Sequence, residues 1–265
     1  MPLLELSGIG KKFGGLTVLD GVDLAVEAGS VHALIGPNGS GKTTLLNCVS
    51  GILRPDAGEI RFDGHRVDRE RPHRRTRRGL GRTFQNIRLF AGLSVLDNVL
   101  VGEHCRTRAG LLRAWTRAPL QPLREDRMAR ERARELLGLV GLLTRADEPL
   151  VGLLTRADEP AEALPLADQR RLEIARALAT DAALVMLDEP AAGMNATEKR
   201  GMHVLIGRIV AGGRTVVLVE HDIALVMEVS NRVTVLNFGR KIADGTPAEV
   251  RNDALVIEAY LGREA

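Results

Sequence analysis

Residues Gly36-Pro37-Asn38-Gly39-Ser40-Gly41-Lys42-Thr43 fit the spacing G-x-x-x-x-G-K-[ST]. Few short patterns constrain a fold as tightly. Glycines let successive backbone N–H groups converge on one point, where phosphate oxygens can sit. The helix that follows aims the positive end of its dipole at the same point. Lys42 then reaches the terminal phosphates, and Thr43 is placed to ligate Mg2+. Both flanks suit this arrangement. Residues 31–35 (VHALI) read as a short buried strand, and residues 42–50 as a helix stopped by Gly51. Strand, glycine loop and helix in that order point to an α/β fold with a nucleoside triphosphate site.

The rest of the chain alternates in the same way. Residues 183–187 and 215–219 read as two more buried strands, with a helical pattern over 197–210 between them. The first of these strands delivers two carboxylates, Asp188 and Glu189, at its C-terminal end, where α/β folds bind ligands. Asp188 is expected to hold Mg2+ through water, and Glu189 to polarise the attacking water. The triplet Asp-Glu-Pro also occurs at 147–149 and 158–160, without an apolar strand before it, so those copies read as turn or helix-start residues. The N-terminal segment alternates like an antiparallel sheet, with turns at Gly14-Gly15 and Asp63-Gly64. Residues 232–236 and 241–244 read as a hairpin around Asn237-Phe238-Gly239. Residues 90–164, rich in Leu, Ala, Arg and Glu, look like a helical insertion. Within it, residues 139–149 (LVGLLTRADEP) recur as 150–160, a tandem duplication. Eleven residues make about three helical turns, but Pro149 would break a continuous helix, so an extra turn or looped-out segment is expected.

Composition narrows the function classes. Apolar residues are 45% and charged residues 27% of the chain, the profile of a folded globular protein. The longest apolar runs, 182–187 and 215–219, are five or six residues, against about twenty for a membrane-spanning helix. The N-terminus has neither a basic stretch nor a long apolar core, which predicts a cytoplasmic chain without a secretory signal. Cys48 and Cys105 make neither a disulfide framework nor a metal-binding spacing. The net charge is +3, but only five of 37 basic side chains are lysines and aromatics are 3% of the chain. Arginine-dense stretches with so few stacking rings read as solvated faces, and no nucleic-acid partner is expected.

With these motifs in place, the chain resembles the ATP-binding subunits of ABC transporters over residues 1–262. The resemblance implies one ABC ATPase domain: a P-loop (RecA-like) core at about 1–89 and 165–262, with an N-terminal antiparallel β subdomain and a helical subdomain inserted at about 90–164. It implies ATP and Mg2+ as cofactors, held by Gly36, Pro37, Asn38, Gly39, Ser40, Gly41, Lys42, Thr43 and Thr44, with Phe13 stacking on adenine. Arg82-Thr83-Phe84-Gln85-Asn86 matches the loop whose glutamine, Gln85, contacts Mg2+ and water. Val219-Glu220-His221-Asp222 matches the switch whose histidine, His221, touches the γ-phosphate and helps orient Glu189. Residues 191–195, ending in Asn195, match the loop that joins two such subunits in a dimer. Three segments (82–90, 189–195 and Ala259-Tyr260-Leu261-Gly262) are similar to the larger ATPase subunit of bacterial branched-chain amino-acid uptake systems, and urea or amide importers share them. The implied partners are transmembrane permeases, a second and different ATPase subunit, and, indirectly, a periplasmic or lipoprotein solute-binding protein. The implied location is the cytoplasmic face of the inner membrane. An ATPase working on DNA or ribosomes would need a second ATPase half, a long linker or a DNA-binding insertion.

One segment departs from the family. Where L-S-G-G-Q or L-P-Y-G-D-Q is typical, this chain has Leu164-Pro165-Leu166-Ala167-Asp168-Gln169. Ala167 replaces a glycine that lets the backbone approach the γ-phosphate held by the opposite subunit. Its methyl is expected to crowd that approach and restrict φ/ψ, leaving a sound phosphate loop beside a weakened signature. In a homodimer both sites would carry the altered loop. In a heterodimer this phosphate loop would face an ordinary signature. Impaired hydrolysis is the alternative reading.

Overall fold

The computed structural model describes residues 2–90, 92–103, 124–143 and 157–261. Two sheets organise it. The first is antiparallel and contains β1 (Leu4–Phe13), β2 (Leu16–Val26), β4 (Ala57–Phe62) and β5 (His65–Arg66), in the order β2-β1-β4-β5. Its turns fall at Gly14-Gly15 and Asp63-Gly64, as the alternation predicts. The second sheet holds β3 (Val31–Ile35), β6 (Leu80–Arg82), β7 (Leu184–Asp188), β8 (Thr215–Val219), β9 (Arg232–Asn237) and β10 (Arg240–Gly245), in the order β10-β9-β3-β8-β7-β6. It is parallel except for the β9–β10 hairpin. Every residue of β3, β7 and β8 is buried. That explains their predominantly apolar runs, since a central parallel strand is covered on both faces. Strand β7 runs one residue beyond the expected 183–187, because Asp188 still pairs with Val219.

The helices pack on this sheet. Helix α1 (Lys42–Ser50) leaves the phosphate loop and ends at Gly51, whose φ of 80° is the left-handed stop read from the sequence. Helix α2 (Pro72–Arg77) places the fully buried Arg75 against the end of α1. There its Nη1 donates to the carbonyls of Cys48 and Val49 at 2.6 and 2.7 Å. Carbonyls at a helix end lack their usual i+4 partners; Cys48 also accepts from the Gly51 N–H at 3.2 Å, and the guanidinium reaches both carbonyls at once. Helices α3 (Val95–Glu103), α4 (Arg124–Leu139) and α5 (Leu166–Ala179) form the helical layer and join the sheet core through Val95, Val99, Ala133, Leu137 and Leu172. Helix α6 (Ala196–Ala211) opens with a full capping box between Asn195 and Glu198. Helices α7 (Ile223–Val229), α8 (Pro247–Arg251) and α9 (Ala254–Leu261) complete the chain. Among the described residues no helix is long and apolar enough to cross a membrane. Residues 144–156 of the duplication, Pro149 among them, and Cys105 lie outside the described residues.

The central strand β3 also buries a titratable group. His32 is 1% exposed and shares a 2.8 Å hydrogen bond with Thr234. Burial lowers its pKa from 6.5 to about 4, opposed by Asp244. The unfolded chain therefore binds a proton between these values that the folded chain refuses. His32 does not penalise the fold above about pH 6.5, and stability is lost as pH falls from there toward 4, by about 3 kcal/mol in all. Urea unfolding of wild type and His32→Gln across pH 4–7 should show this slope in wild type and a flatter one in the variant.

Candidate functional site

The loop at residues 36–43 is held open by contacts that exclude side chains. Gly36 has φ 149°, and a Cβ there would collide with the Leu236 carbonyl. At Gly41 (φ 103°) a Cβ would meet Leu19 at 2.8 Å. The β9–β10 turn grips the loop from below, Gly239 N–H donating to the Ser40 carbonyl at 3.0 Å. The C-terminal helix reaches it too. The Tyr260 hydroxyl accepts from the Gly36 backbone, which partly offsets the burial that raises its pKa to about 12. Lys42 Nζ lies back over the loop, donating to the carbonyls of Gly36 and Pro37 at 2.7 and 3.0 Å. Asn38, Gly39 and Thr43 are exposed at the mouth, Thr44 is half-buried, and Pro37 and Ser40 are buried.

The carboxylates arrive on β7. Asp188 is buried, and Arg82 from β6 holds its Oδ2 at 3.1 Å. Burial raises the Asp188 pKa and Arg82 opposes it. The same guanidinium donates to Asn47 Oδ1 at 2.7 Å and Ser50 Oγ at 2.9 Å, both on α1. Arg82 thus ties the phosphate-loop helix to the acidic strand. The other Asp188 oxygen, Oδ1, and Ser40 Oγ are buried without a hydrogen-bond partner. An unpaired carboxylate oxygen and an unpaired hydroxyl in one site suit a divalent cation and a phosphate. The residues present fit Mg2+ and a nucleoside triphosphate.

Glu189 follows in a left-handed conformation, φ 51°, which a residue with a Cβ adopts only where its surroundings hold it. Its N–H donates to the Val219 carbonyl at 2.8 Å. Two predicted residues close on its side chain. His221 Nε2 shares a 2.9 Å contact with Oε1, and Gln85 Nε2 donates to Oε2 at 3.2 Å. Three residues from three separate loops therefore meet on one carboxylate. The copy of the acidic triplet at 158–160 sits elsewhere. There the Glu159 carbonyl accepts from Val95 N–H at the start of α3, and Ser94 bridges to Pro160.

Other predicted residues are placed as follows. Phe13 ends β1, is 47% exposed, and lies 5.6 Å under the Lys11 ammonium. Asn195 is the exposed cap of α6. The signature segment needs a correction. Only Leu164 and Pro165 are non-helical; α5 begins at Leu166, so Ala167, Asp168 and Gln169 occupy its first turn. Alanine is at ease in helical φ/ψ, so no conformational restriction follows from it. Ala167 is 7% exposed and packs into the core beneath the helical layer. Leu166 is the outward residue, 48% exposed, 3.1 Å from the position a Gly193 side chain would take. Asp168 pairs with Arg171 at 3.7 Å, and Gln169 Nε2 donates to the Leu164 carbonyl at 2.9 Å.

Sequence reasoning missed four supporting residues. Arg82 and Glu220 lie inside quoted motifs, yet neither carried an expected role. Arg170 donates to the Phe84 carbonyl at 3.2 Å, and Glu173 accepts from Arg88 N–H at 3.2 Å, bracing the Gln85 segment from α5. The available signal was a charge embedded in an apolar run, which a fold tolerates only when it is paired.

Comparisons with known proteins agree with this geometry. The family described as "ABC transporter" matches residues 19–192, and one described as "Branched-chain amino acid ATP-binding cassette transporter" matches residues 240–265. The chain is 41% identical over 262 residues to the high-affinity branched-chain amino acid transport ATP-binding protein BraF of Pseudomonas aeruginosa, covering 98% of each. It is 38% identical to LivG of Escherichia coli, again over 98% of each. A crystal structure of the ADP conformation of an ATP-binding cassette of an ABC transporter superposes with a TM-score of 0.82 at 30% identity, covering 99% of this chain and 100% of that one.

The Arg82–Asp188 pair makes the site sensitive to a single truncation. Arg82→Met would leave the buried Asp188 Oδ2 and the half-buried Asn47 Oδ1 without that partner. Breaking one side of a buried ion pair destabilises by about 3–5 kcal/mol. Guanidinium unfolding should show that loss for Arg82→Met and a partial recovery in Arg82→Met/Asp188→Asn.

Proposed function

The chain belongs to the ABC transporter family of ATP-binding proteins, and from that membership we propose that it hydrolyses ATP to drive an importer for branched-chain amino acids. The observation that carries the catalytic part is the meeting of Gln85 and His221 on Glu189, beside a loop whose close packing at Gly36 and Gly41 leaves no room for a Cβ. Mg2+ supplies charge neutralisation on the phosphate oxygens. In this reading the loop N–H groups and Lys42 hold the triphosphate, and Thr43, Asp188 and Gln85 hold the cation. Glu189 orients and polarises the attacking water. His221 fixes the Glu189 rotamer, and Phe13 offers the adenine a ring face.

The assembly reading rests on surfaces. Between the end of α1, β6 and the helical layer lies an open groove of about 430 Å3, with Ile52, Phe84 and Phe90 on its walls and Arg88 and Arg176 among its polar groups. It adjoins the Gln85 segment, which suits it to receive a permease at the cytoplasmic membrane face. Solute choice would then rest with the permeases and a binding protein. Leu166, Gly193 and Asn195 form a second exposed surface, suited to a different ATPase subunit facing this phosphate loop. In this reading the chain works as one ABC ATPase domain, its core at about 1–89 and 165–262.

Mg-ATP hydrolysis by the purified chain, alone and with the second ATPase subunit, tests this. Glu189→Gln should lower turnover at least about 100-fold and leave ATP binding within about twofold. Loss of binding in that variant, or unchanged turnover, would overturn the assignment. Because the Ala167 methyl faces inward, Ala167→Gly should change turnover less than about twofold. A large rise would restore the weakened-signature reading.

A further inference from the structure

Glu220 is a carboxylate with no place in the chemistry above, yet it is 4% exposed at the end of β8. A buried carboxylate must be paid for by hydrogen bonds, and here both oxygens are used on backbone. Oε1 accepts from Ala191 N–H at 2.8 Å, and Oε2 accepts from His221 N–H at 3.2 Å. Ala191 lies two residues after Glu189 on the loop leaving β7, and His221 carries the imidazole that meets Glu189. The contacts close a ring. Glu189 reaches His221 through side chains, the His221 backbone reaches the Glu220 carboxylate, and that carboxylate reaches the backbone just beyond Glu189. The ring spans the left-handed residue of the site, whose φ is 51°.

We infer that Glu220 is a positioning residue for hydrolysis, its carboxylate clamping the Glu189 loop to the His221 loop so that the two side chains stay within hydrogen-bond reach. The inference rests on the ATPase reading above and adds a residue to it. Nothing else among the described contacts spans these two backbones at that depth: the Glu189 N–H to Val219 carbonyl bond joins the strands one residue earlier. A carboxylate suits the task because it accepts at both ends, whereas a glutamine amide accepts at only one and would turn an NH2 toward the other N–H.

The test is a kinetic cycle on the full chain with its partner ATPase subunit. Glu220→Gln should lower kcat by about 10- to 100-fold, the loss that follows a displacement of about 1 Å at a reacting group. The KM for ATP and ATP binding should stay within about twofold. The loss should be non-additive with His221→Ala: the double variant should be hardly slower than the worse single variant, since both act through Glu189. Glu220→Asp, one methylene shorter but an acceptor at both oxygens, should recover part of kcat. A folded Glu220→Gln chain with wild-type kcat would overturn the clamp, as would losses that multiply in the double variant. So would a Gln chain that fails to fold while Glu220→Asp folds with normal kcat and additive losses. Absence of turnover in the wild-type pair would sink the ATPase reading and the clamp together. Turnover that Glu220→Gln leaves intact would sink only the clamp.

Discussion

The parallel register at Val219 holds the site together. Val219 lies opposite Leu34 on one side and Asp188 on the other. The chain leaves all three strands at the same edge, so residues after Ile35, Asp188 and Val219 emerge side by side. That places the phosphate loop, Glu189 and His221 in one crevice, where the contacts of His221 with Glu189 and of Glu220 with Ala191 then fix the loops. Parallel strands with right-handed crossovers put every such loop on one side of the sheet. A one-residue slip would turn Asp188 to the other face and move Glu189 off its bond to the Val219 carbonyl.

Buried charge does the next part of the work. Arg82, Arg75 and Glu220 are each spent on groups from a different element: Arg82 on Asp188, Asn47 and Ser50, Arg75 on the end of α1, Glu220 on the loops of Glu189 and His221. Apolar packing would hold these elements together with latitude in their relative positions. Hydrogen bonds to a buried ion are directional, and a misplaced partner leaves a charge unpaired, so they penalise small shifts steeply. The core supplies stability, and these residues supply registration.

The sheet was legible in the sequence because its central strands are short, mainly apolar runs followed by glycine or acid, as at residues 31–35 and 215–219. The phosphate loop and Asp188-Glu189 were legible because strand and motif adjoin in the chain. The start of α5 was not. Ala167 reads as a substituted glycine in a loop, but Pro165 sits at the cap with extended ψ, and the helix starts immediately after it. Whether a methyl points into a core or toward a partner depends on the phase of that helix, which a six-residue motif does not carry. Arg82 and Glu220 were hidden for a related reason: each is polar in sequence and buried in space, and each has a partner far along the chain, Asp188 for Arg82 and Ala191 for Glu220.

Helix α5 joins the two halves of this picture. Its first turn carries Leu166 to the surface and Ala167 into the core. One to two turns later, Arg170, Glu173 and Arg176 bond to the backbone of Phe84 and Arg88, on either side of Gln85. These three attachments come from one rigid helix, so a displacement of α5 against the sheet is carried to the Gln85 segment with little slack. Gln85 in turn touches Glu189 from the side opposite His221. The α5 side thus braces one oxygen of the Glu189 carboxylate through Gln85 while His221 holds the other. The phosphate loop is gripped separately by the β9–β10 turn, so the two parts of the crevice are supported from different elements of the fold.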